Sequence, residues 1–280
     1  MKLFLPGMFV LLMPLLGGCM RSSSASQPYV TTARLDRGFV IVLTGIEGRS
    51  RLNEEIVAGL NRGGVKYAIE IHDWTGSWFW LANQESETRN RSRAAELADK
   101  ITRYKWAYPD RPVILVGQSG GAAIAAWSAE AMKREKVDGI IMLAASLSST
   151  YRLDNALTNS RRGIVNFYSG RDLVMLGLGT KIFRTMDGEF ASSAGMEGFA
   201  LPKTEPDIYE KLFQIAWNKR MADSGNSGLH ITSGAETFVA QYVVPFVLSY
   251  QWDEDLVKKV SSGEYSVINR KNDSTKDTGN

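Results

Sequence analysis

Apolar residues in this chain fall into short runs separated by longer stretches with helical spacing. Residues 39–43, Phe-Val-Ile-Val-Leu, contain no polar position at all; runs follow at 113–116 and 139–144, and at 67–71 and 164–168 with one polar residue inside each, Glu70 and Asn166. A continuous run of this length predicts a strand buried on both faces, where an alternating one would predict a strand with one wet side. Between the runs, residues 53–61 have helical spacing and stop at Arg62-Gly63-Gly64. The longest predicted helix covers 86–106, with Ala94, Ala95, Leu97, Ala98, Ile101 and Tyr104 on one stripe. Pro109 and Pro112 then punctuate before the third strand. A further helix is expected near 207–221, and a last one over 236–248, where Pro245 demands a kink or break. Strand and helix in alternation predict an α/β fold, a mostly parallel central sheet with helices on both faces, in a three-layer sandwich. From Trp252 the chain turns polar and charged, which predicts a disordered tail over 251–280.

The amino terminus follows a different pattern. Lys2 precedes an apolar stretch over 3–16, too short to span a bilayer and suited to the core of a signal peptide. It ends in Leu16-Gly17-Gly18-Cys19, which resembles the bacterial lipobox. The resemblance implies cleavage before Cys19 and lipidation of its thiol, with enough acyl chain to anchor the mature protein. Cys19 is the only cysteine of the chain, so no internal disulfide competes for it. Residues 1–18 are then a signal peptide and 19–37 a tether. The expected location is the bacterial cell envelope, lipid-anchored to a membrane. Met20 in place of an Asp favours the outer membrane, facing the periplasm, if the source is Gram-negative.

The remaining 38–250 form the expected catalytic-sized domain. The chain has 280 residues, 44% of them hydrophobic, and a formal charge of +3 with both signs interspersed. That provides for one sizeable core and no basic stripe, so no nucleic-acid partner is expected.

The third apolar run leads directly into Gly117-Gln118-Ser119-Gly120-Gly121, and small residues follow at Ala122, Ala123, Ala125 and Ala126. A Gly-x-Ser-x-Gly that closes a strand and opens a helix turns so sharply that the positions flanking the serine must be tiny. This stretch resembles the nucleophile elbow of the α/β-hydrolase fold, against the plainer alternative of a turn in another α/β protein. The resemblance covers roughly 38–250 by pattern. It implies that the five runs match the family's third to seventh strands, without the amino-terminal hairpin of larger members, as in small lipases and esterases.

A serine hydroxyl needs a histidine to take its proton, and the histidine needs a carboxylate to orient it. In the family these follow the serine in the order acid, then base. Only two histidines exist. His72 precedes Ser119 and is expected to be structural or pocket-lining. His230 follows, in a glycine-rich loop, and is the expected base. Asp172, in Ser169-Gly170-Arg171-Asp172, lies just past the strand two after the elbow strand and is the expected acid, with a turn-forming aspartate as the alternative. Asp154, Asp187 and Asp207 follow no apolar strand, and Asp138 stands before one, at the wrong end.

The oxyanion of the reaction needs N–H donors in place beforehand. Gly120, next to the nucleophile, should supply one. Gly45-Ile46-Glu47-Gly48 should supply the other, from Ile46 or Glu47. Trp74 and Trp78, in an aromatic-rich stretch after the second strand, are candidates to line a substrate cleft, or else to plug the core. The long interval between Asp172 and His230 leaves room for a small cap within 175–225. Together these imply a serine hydrolase acting on small-molecule or lipid carboxylic esters through an acyl-enzyme. An amidase or peptidase on the same triad, or a non-catalytic envelope lipoprotein, are the alternatives. No cofactor is implied, and two separated histidines without cysteine partners make no metal-ligand cluster.

Overall fold

All five apolar runs form strands of one sheet. The computed structural model describes residues 27–76, 83, 86–172, 183–203 and 206–265. The strands are β1 (Phe39–Leu43), β2 (Ala68–His72), β3 (Val113–Gln118), β4 (Gly139–Leu143) and β5 (Ile164–Tyr168), with a short hairpin of β6 (Phe183–Arg184) and β7 (Phe190–Ala191) and a later strand β8 (Leu212–Ala216). The six-stranded sheet runs β2-β1-β3-β4-β5-β8, every pairing parallel.

Side chains alternate across each strand and divide the interior into two cores. Phe39, Ile41 and Leu43 face one, together with Leu115, Ile140 and Met142. Val40 and Val42 face the other, with Ile114, Val116, Ile141 and Val165. The helices before the hairpin are α1 (Thr32–Leu35), α2 (Arg51–Arg62), α3 (Glu87–Ala107), α4 (Gly120–Ala131) and α5 (Asp154–Thr158). The first core is covered by Leu97 and Ile101 of α3 and by the alanine-rich α4, with Ala156 and Leu157 of α5. The second is covered by Ile56 and Leu60 of α2 and by Phe238 to Val247 near the carboxyl end. This is the three-layer α/β arrangement expected from the alternation of runs.

Four expectations need correction. The tether does not extend to residue 37. Gln27 lays its side-chain amide along the outer edge of β2, donating to Ile71 O at 2.9 Å and accepting from Ile71 N at 3.1 Å. The Tyr29 carbonyl accepts from Ile69 N at 3.3 Å. This segment therefore satisfies backbone groups that an edge strand would leave open.

The helix expected near 207–221 is instead two one-turn helices, α7 (Pro206–Tyr209) and α8 (Lys219–Ala222), on either side of β8; α6 (Ala194–Glu197) precedes them. Phe213 and Ile215 join the second core while Leu212 joins the first, so a strand buries both faces of Leu-Phe-Gln-Ile-Ala where a helix would bury one.

The final helix is continuous but not uniform. Glu236–Phe238 is α-helical, Val239–Val243 takes wider π turns, and Val244–Leu248 returns to α geometry; together they make α9. Pro245 lacks an N–H and its ring crowds the carbonyl one turn back, and the π segment just before it absorbs that conflict without a break.

The fourth correction concerns the tail. Glu254–Ser261 is a helix, α10, whose Asp253 cap accepts from Leu256 N at 2.8 Å. Leu256 and Val260, four residues apart, face the core. Trp252 is buried and occupies the space beside Gly139, where any Cβ would collide with its ring.

Candidate active site

The chain turns most sharply where β3 meets α4. Ser119 has φ 53° and ψ −121°, a left-handed conformation that non-glycine residues adopt only when the surroundings enforce it. Here they do. Ser119 N–H donates to Leu143 O at 3.0 Å, and its carbonyl accepts from Ala122 N and Ser146 N, each at 3.1 Å. A Cβ on Gly117 would come within 2.6 Å of the Ala122 backbone and crowd Gly121, while one on Gly121 would strike the Leu43 and Thr44 carbonyls of the neighbouring strand. Both flanking glycines are thus required by backbone packing.

Asp172 lies beyond the carboxyl end of β5 in a turn closed by its own N–H to Ser169 O at 2.8 Å. It is 3% exposed. His230 opens a 3₁₀ turn, His230–Thr232, in a loop braced by Asn226, which accepts Gly228 N at 2.9 Å and, through its carbonyl, Trp217 Nε1 at 2.7 Å. His230 Nδ1 lies 2.9 Å from Asp172 Oδ1 and 3.3 Å from Oδ2. A carboxylate only accepts, so Nδ1 carries the proton and Nε2 is left with its lone pair. Nε2 faces the Gln118 amide nitrogen at 3.4 Å. Among the described residues no hydrogen bond joins His230 to Ser119 Oγ; the imidazole meets the residue before the serine.

The loop after β1 is a tight turn in which Gly48 N donates to Gly45 O at 3.1 Å. The Ile46 side chain reaches across to Gly120, where a Cβ would lie 2.8 Å from Ile46 Cγ2. Asn83 fixes this turn from outside: its Nδ2 donates to Ile46 O at 2.9 Å while its Oδ1 accepts Gly76 N at 3.2 Å. Among the described residues, the N–H groups of Gly120, Ile46 and Glu47 donate to no partner. Asn83 carries no sequence signal that would have marked it.

Trp74 differs from the expectation that it lines a cleft. It is 1% exposed, donates Nε1–H to Thr44 O at 2.7 Å, and packs its ring 3.2 Å from where a Gly120 Cβ would sit. It buttresses the elbow from within the core. Trp78 and Cys19 lie outside the described residues. Of the expected cap, 175–182 and 204–205 are also outside them, and 212–216 belongs to the main sheet as β8. The part between them folds back over the elbow: Met186, in the β6–β7 turn, donates its N–H to Ser146 O at 2.9 Å and brings Sδ beside Gly120.

The other candidates are engaged elsewhere. His72 Nδ1 stands 3.7 Å from Glu70 Oε1 at the sheet edge, and Glu70 also pairs with Lys100. Burial opposes ionisation of Glu70, but the hydrogen bonds from His72 and Lys100 outweigh it and hold the carboxyl below its ordinary value. Asp154 pairs with Arg152, and Asp187 accepts Ser148 N at 2.9 Å. Asp207 is exposed, and Asp138 is bound to Lys105 at the opposite end of the strands. Among the described residues no group of three or more His, Cys, Asp or Glu side chains could hold a metal ion, and no helix is long and apolar enough to cross a membrane.

No protein-family model and no curated protein matches the chain. Solved structures of similar shape include Est1E from Butyrivibrio proteoclasticus, 11% identical, covering 76% of this chain and 88% of that one with a TM-score of 0.47. A cutinase-like protein from Cryptococcus sp. is 12% identical, covering 79% and 98% with a TM-score of 0.43. The esterase domain of a Rhodothermus marinus protein is 13% identical, covering 78% and 88%, also at 0.43. At such identities and scores, any conclusion about activity rests on this chain's own residues.

Proposed function

We propose that the protein is a serine hydrolase that cleaves carboxylic esters through an acyl-enzyme on Ser119, with His230 as base and Asp172 as its orienting acid. The observation that carries this reading is the Asp172–His230 bond at 2.9 Å, with the other imidazole nitrogen, Nε2, set against Gln118 in the strained turn that holds Ser119. A carboxylate that fixes one imidazole tautomer and leaves the other nitrogen facing a serine elbow is the arrangement that serine activation needs.

In this mechanism the His230 ring turns from Gln118 to Ser119 Oγ as substrate enters. Oγ forms a bond to the ester carbonyl carbon while its proton passes to Nε2. The carbonyl π electrons move onto oxygen, and the resulting oxyanion lies against the N–H groups of Gly120 and Ile46. Ile46 is preferred over Glu47 because its side chain packs on Gly120. Collapse of the tetrahedral centre breaks the bond to the alcohol, which leaves with the proton from Nε2. Water then repeats the sequence on the acyl-enzyme, returning Ser119. Asp172 remains ionised throughout and stabilises the imidazolium.

The proposal extends to location: a lipid anchor at Cys19 holds the domain on a membrane of the bacterial envelope, and Cys19→Ser should release it into the soluble fraction. The chemistry is tested with a fluorophosphonate probe and a p-nitrophenyl butyrate assay. Wild type should label and turn over; Ser119→Ala should lose labelling and fall by roughly 10⁵-fold in kcat. Faster cleavage of peptide anilides than of esters would redirect the reading to an amidase. A well-folded wild type that neither labels nor turns over would overturn it.

A further inference from the structure

Gln118 is only half used by the machinery described above. Its side chain is 1% exposed and turns Nε2 to His230, while its carbonyl oxygen Oε1 is buried with no partner among the described residues. Buried acceptors are nearly always satisfied, and one left open beside a candidate active site needs a reason. Oε1 faces the space over Gly45: a Cβ there would lie 2.9 Å from it. Glu47 Oε2 fills that space, so the Cβ would collide with the carboxylate. The exposed Glu47 accepts Ser50 Oγ–H through its other oxygen, Oε1, at 3.3 Å.

The surroundings add negative charge. Asp73 stands beside Gly48, its oxygens accepting Arg49 N at 3.2 Å and Thr75 N at 3.0 Å. The Arg49 guanidinium is paired with Glu54 at 2.7 Å. The groups at the space over Gly45 are therefore two acceptor oxygens, one of them anionic. They adjoin the side chain that touches His230 Nε2, the atom that hands its proton to the departing alcohol in the proposed mechanism.

We propose that Gln118 Oε1 and Glu47 Oε2 form a subsite for a protonated amine carried on the alcohol part of the ester substrate. This rests on the serine-hydrolase reading above and names the substrate class of that site. An ammonium has three donors and no acceptor, so it can satisfy both oxygens at once. A rim carboxylate alone would discriminate little in water. The buried carbonyl supplies the selectivity, because a substrate lacking a donor leaves it unpaired. The Glu47 side chain, lying over Gly45 at the surface, swings aside to admit the amine and then pairs with it.

The test uses meta-substituted phenyl butyrates, whose geometry forbids intramolecular acyl transfer. The substituents are aminomethyl, trimethylammoniomethyl, hydroxymethyl and ethyl. The trimethylammonium ester matches the charge and leaving-group acidity of the amine but has no N–H donor. We expect kcat/KM for the aminomethyl ester to exceed that for the ethyl ester by about tenfold and to exceed that for the trimethylammonium ester as well. Glu47→Gln should lower the aminomethyl-to-ethyl ratio but leave it above one, because the Gln118 carbonyl remains to accept from the amine. Equal rates for aminomethyl and ethyl would overturn the subsite. Equal rates for aminomethyl and trimethylammonium would remove the role of the Gln118 carbonyl, and equal rates for aminomethyl and hydroxymethyl would remove that of charge; either result overturns the proposal. In each of these cases the esters are still cleaved. Failure of the hydrolase reading is distinct, since then none is cleaved and Ser119 takes no probe.

Discussion

Asp172 and Asp138 are both buried carboxylates, 3% and 7% exposed, and each is paired with a basic side chain at one end of the parallel strands. Asp138 stands at the amino ends, with Lys105 Nζ at 2.5 Å and the Val113 N–H at 2.8 Å. Lys105 in turn donates to Arg111 O at 3.3 Å, and Arg161 approaches Asp138 to 3.9 Å. Asp172 stands past the carboxyl ends with His230, whose second nitrogen is turned toward Gln118 and the serine elbow. Burial and a bond to a basic side chain are therefore common to both ends. The difference lies in the partner: lysine holds its charge on one nitrogen already committed to protein oxygens, whereas imidazole uses one nitrogen to be held and keeps the other to react. A buried pair of the first kind fixes strand ends, and one of the second kind can move a proton.

Two substitutions make that contrast measurable. Asp172→Asn removes the acceptor that fixes the Nδ1–H tautomer, and kcat toward p-nitrophenyl butyrate should fall by roughly 10⁴-fold with little change in Tm. Retained activity would mean that Asp172 only shapes its turn. Asp138→Ala should do the reverse. It leaves the Lys105 charge buried without its partner, which should cost about 3–5 kcal/mol in urea unfolding, with kcat per folded molecule unchanged. Replacing both partners by apolar residues, as in Lys105→Met with Asp138→Leu, should recover most of that loss. If Asp138→Ala instead abolished turnover at full stability, the two ends would have to exchange roles.

The two ends were not equally legible in the sequence. β1 and β4 are unbroken apolar runs, and β2, β3 and β5 are mostly apolar ones; such runs have few other ways to be buried. Asp172 and His230 followed from the position of the elbow, because a strand's carboxyl end and the order of the chain leave few carboxylates and one histidine in place. Elements whose burial is shared escaped notice. β8 lies inside the 207–221 stretch read as a helix, and α10 hides Leu256 and Val260 among charges. Gln27 and Tyr29 reveal their part only when the edge of β2 is seen to lack a neighbour. The Gly45 turn is the sharpest case. Its glycines were visible, but nothing local separated Ile46 from Glu47, since Gly120 and Asn83, which meet this turn, come from other parts of the chain.

Asn83 therefore sharpens the comparison at its finest scale. It touches neither Ser119 nor His230, yet its amide holds the Ile46 carbonyl at 2.9 Å, and Asn90 Nδ2 in turn holds the Asn83 carbonyl at 2.6 Å. A peptide plane pinned at its oxygen is also pinned at its N–H, so Asn83 fixes the Glu47 N–H through the Ile46 carbonyl, while the Gly45 carbonyl, held by Gly48 N at 3.1 Å, fixes the Ile46 N–H of the same turn; in the proposed mechanism both are set before any oxyanion forms. Loss of a donor itself costs roughly 10²–10³ in kcat in serine hydrolases. Loss of a group that aims a donor leaves the donor present but free to wander, and should cost less. Asn83→Ala is expected to lower kcat about tenfold at nearly constant KM, because the ground-state carbonyl demands less of the donors than the oxyanion does. Asn83→Asp keeps an acceptor for Gly76 N–H but offers no donor to Ile46, so it should match the alanine variant in kcat rather than the wild type. If both variants lose Tm while kcat and KM stay at wild-type values, the Ile46 turn is held by its own closure from Gly48, and Asn83 belongs with Lys105 among the residues that only hold the fold.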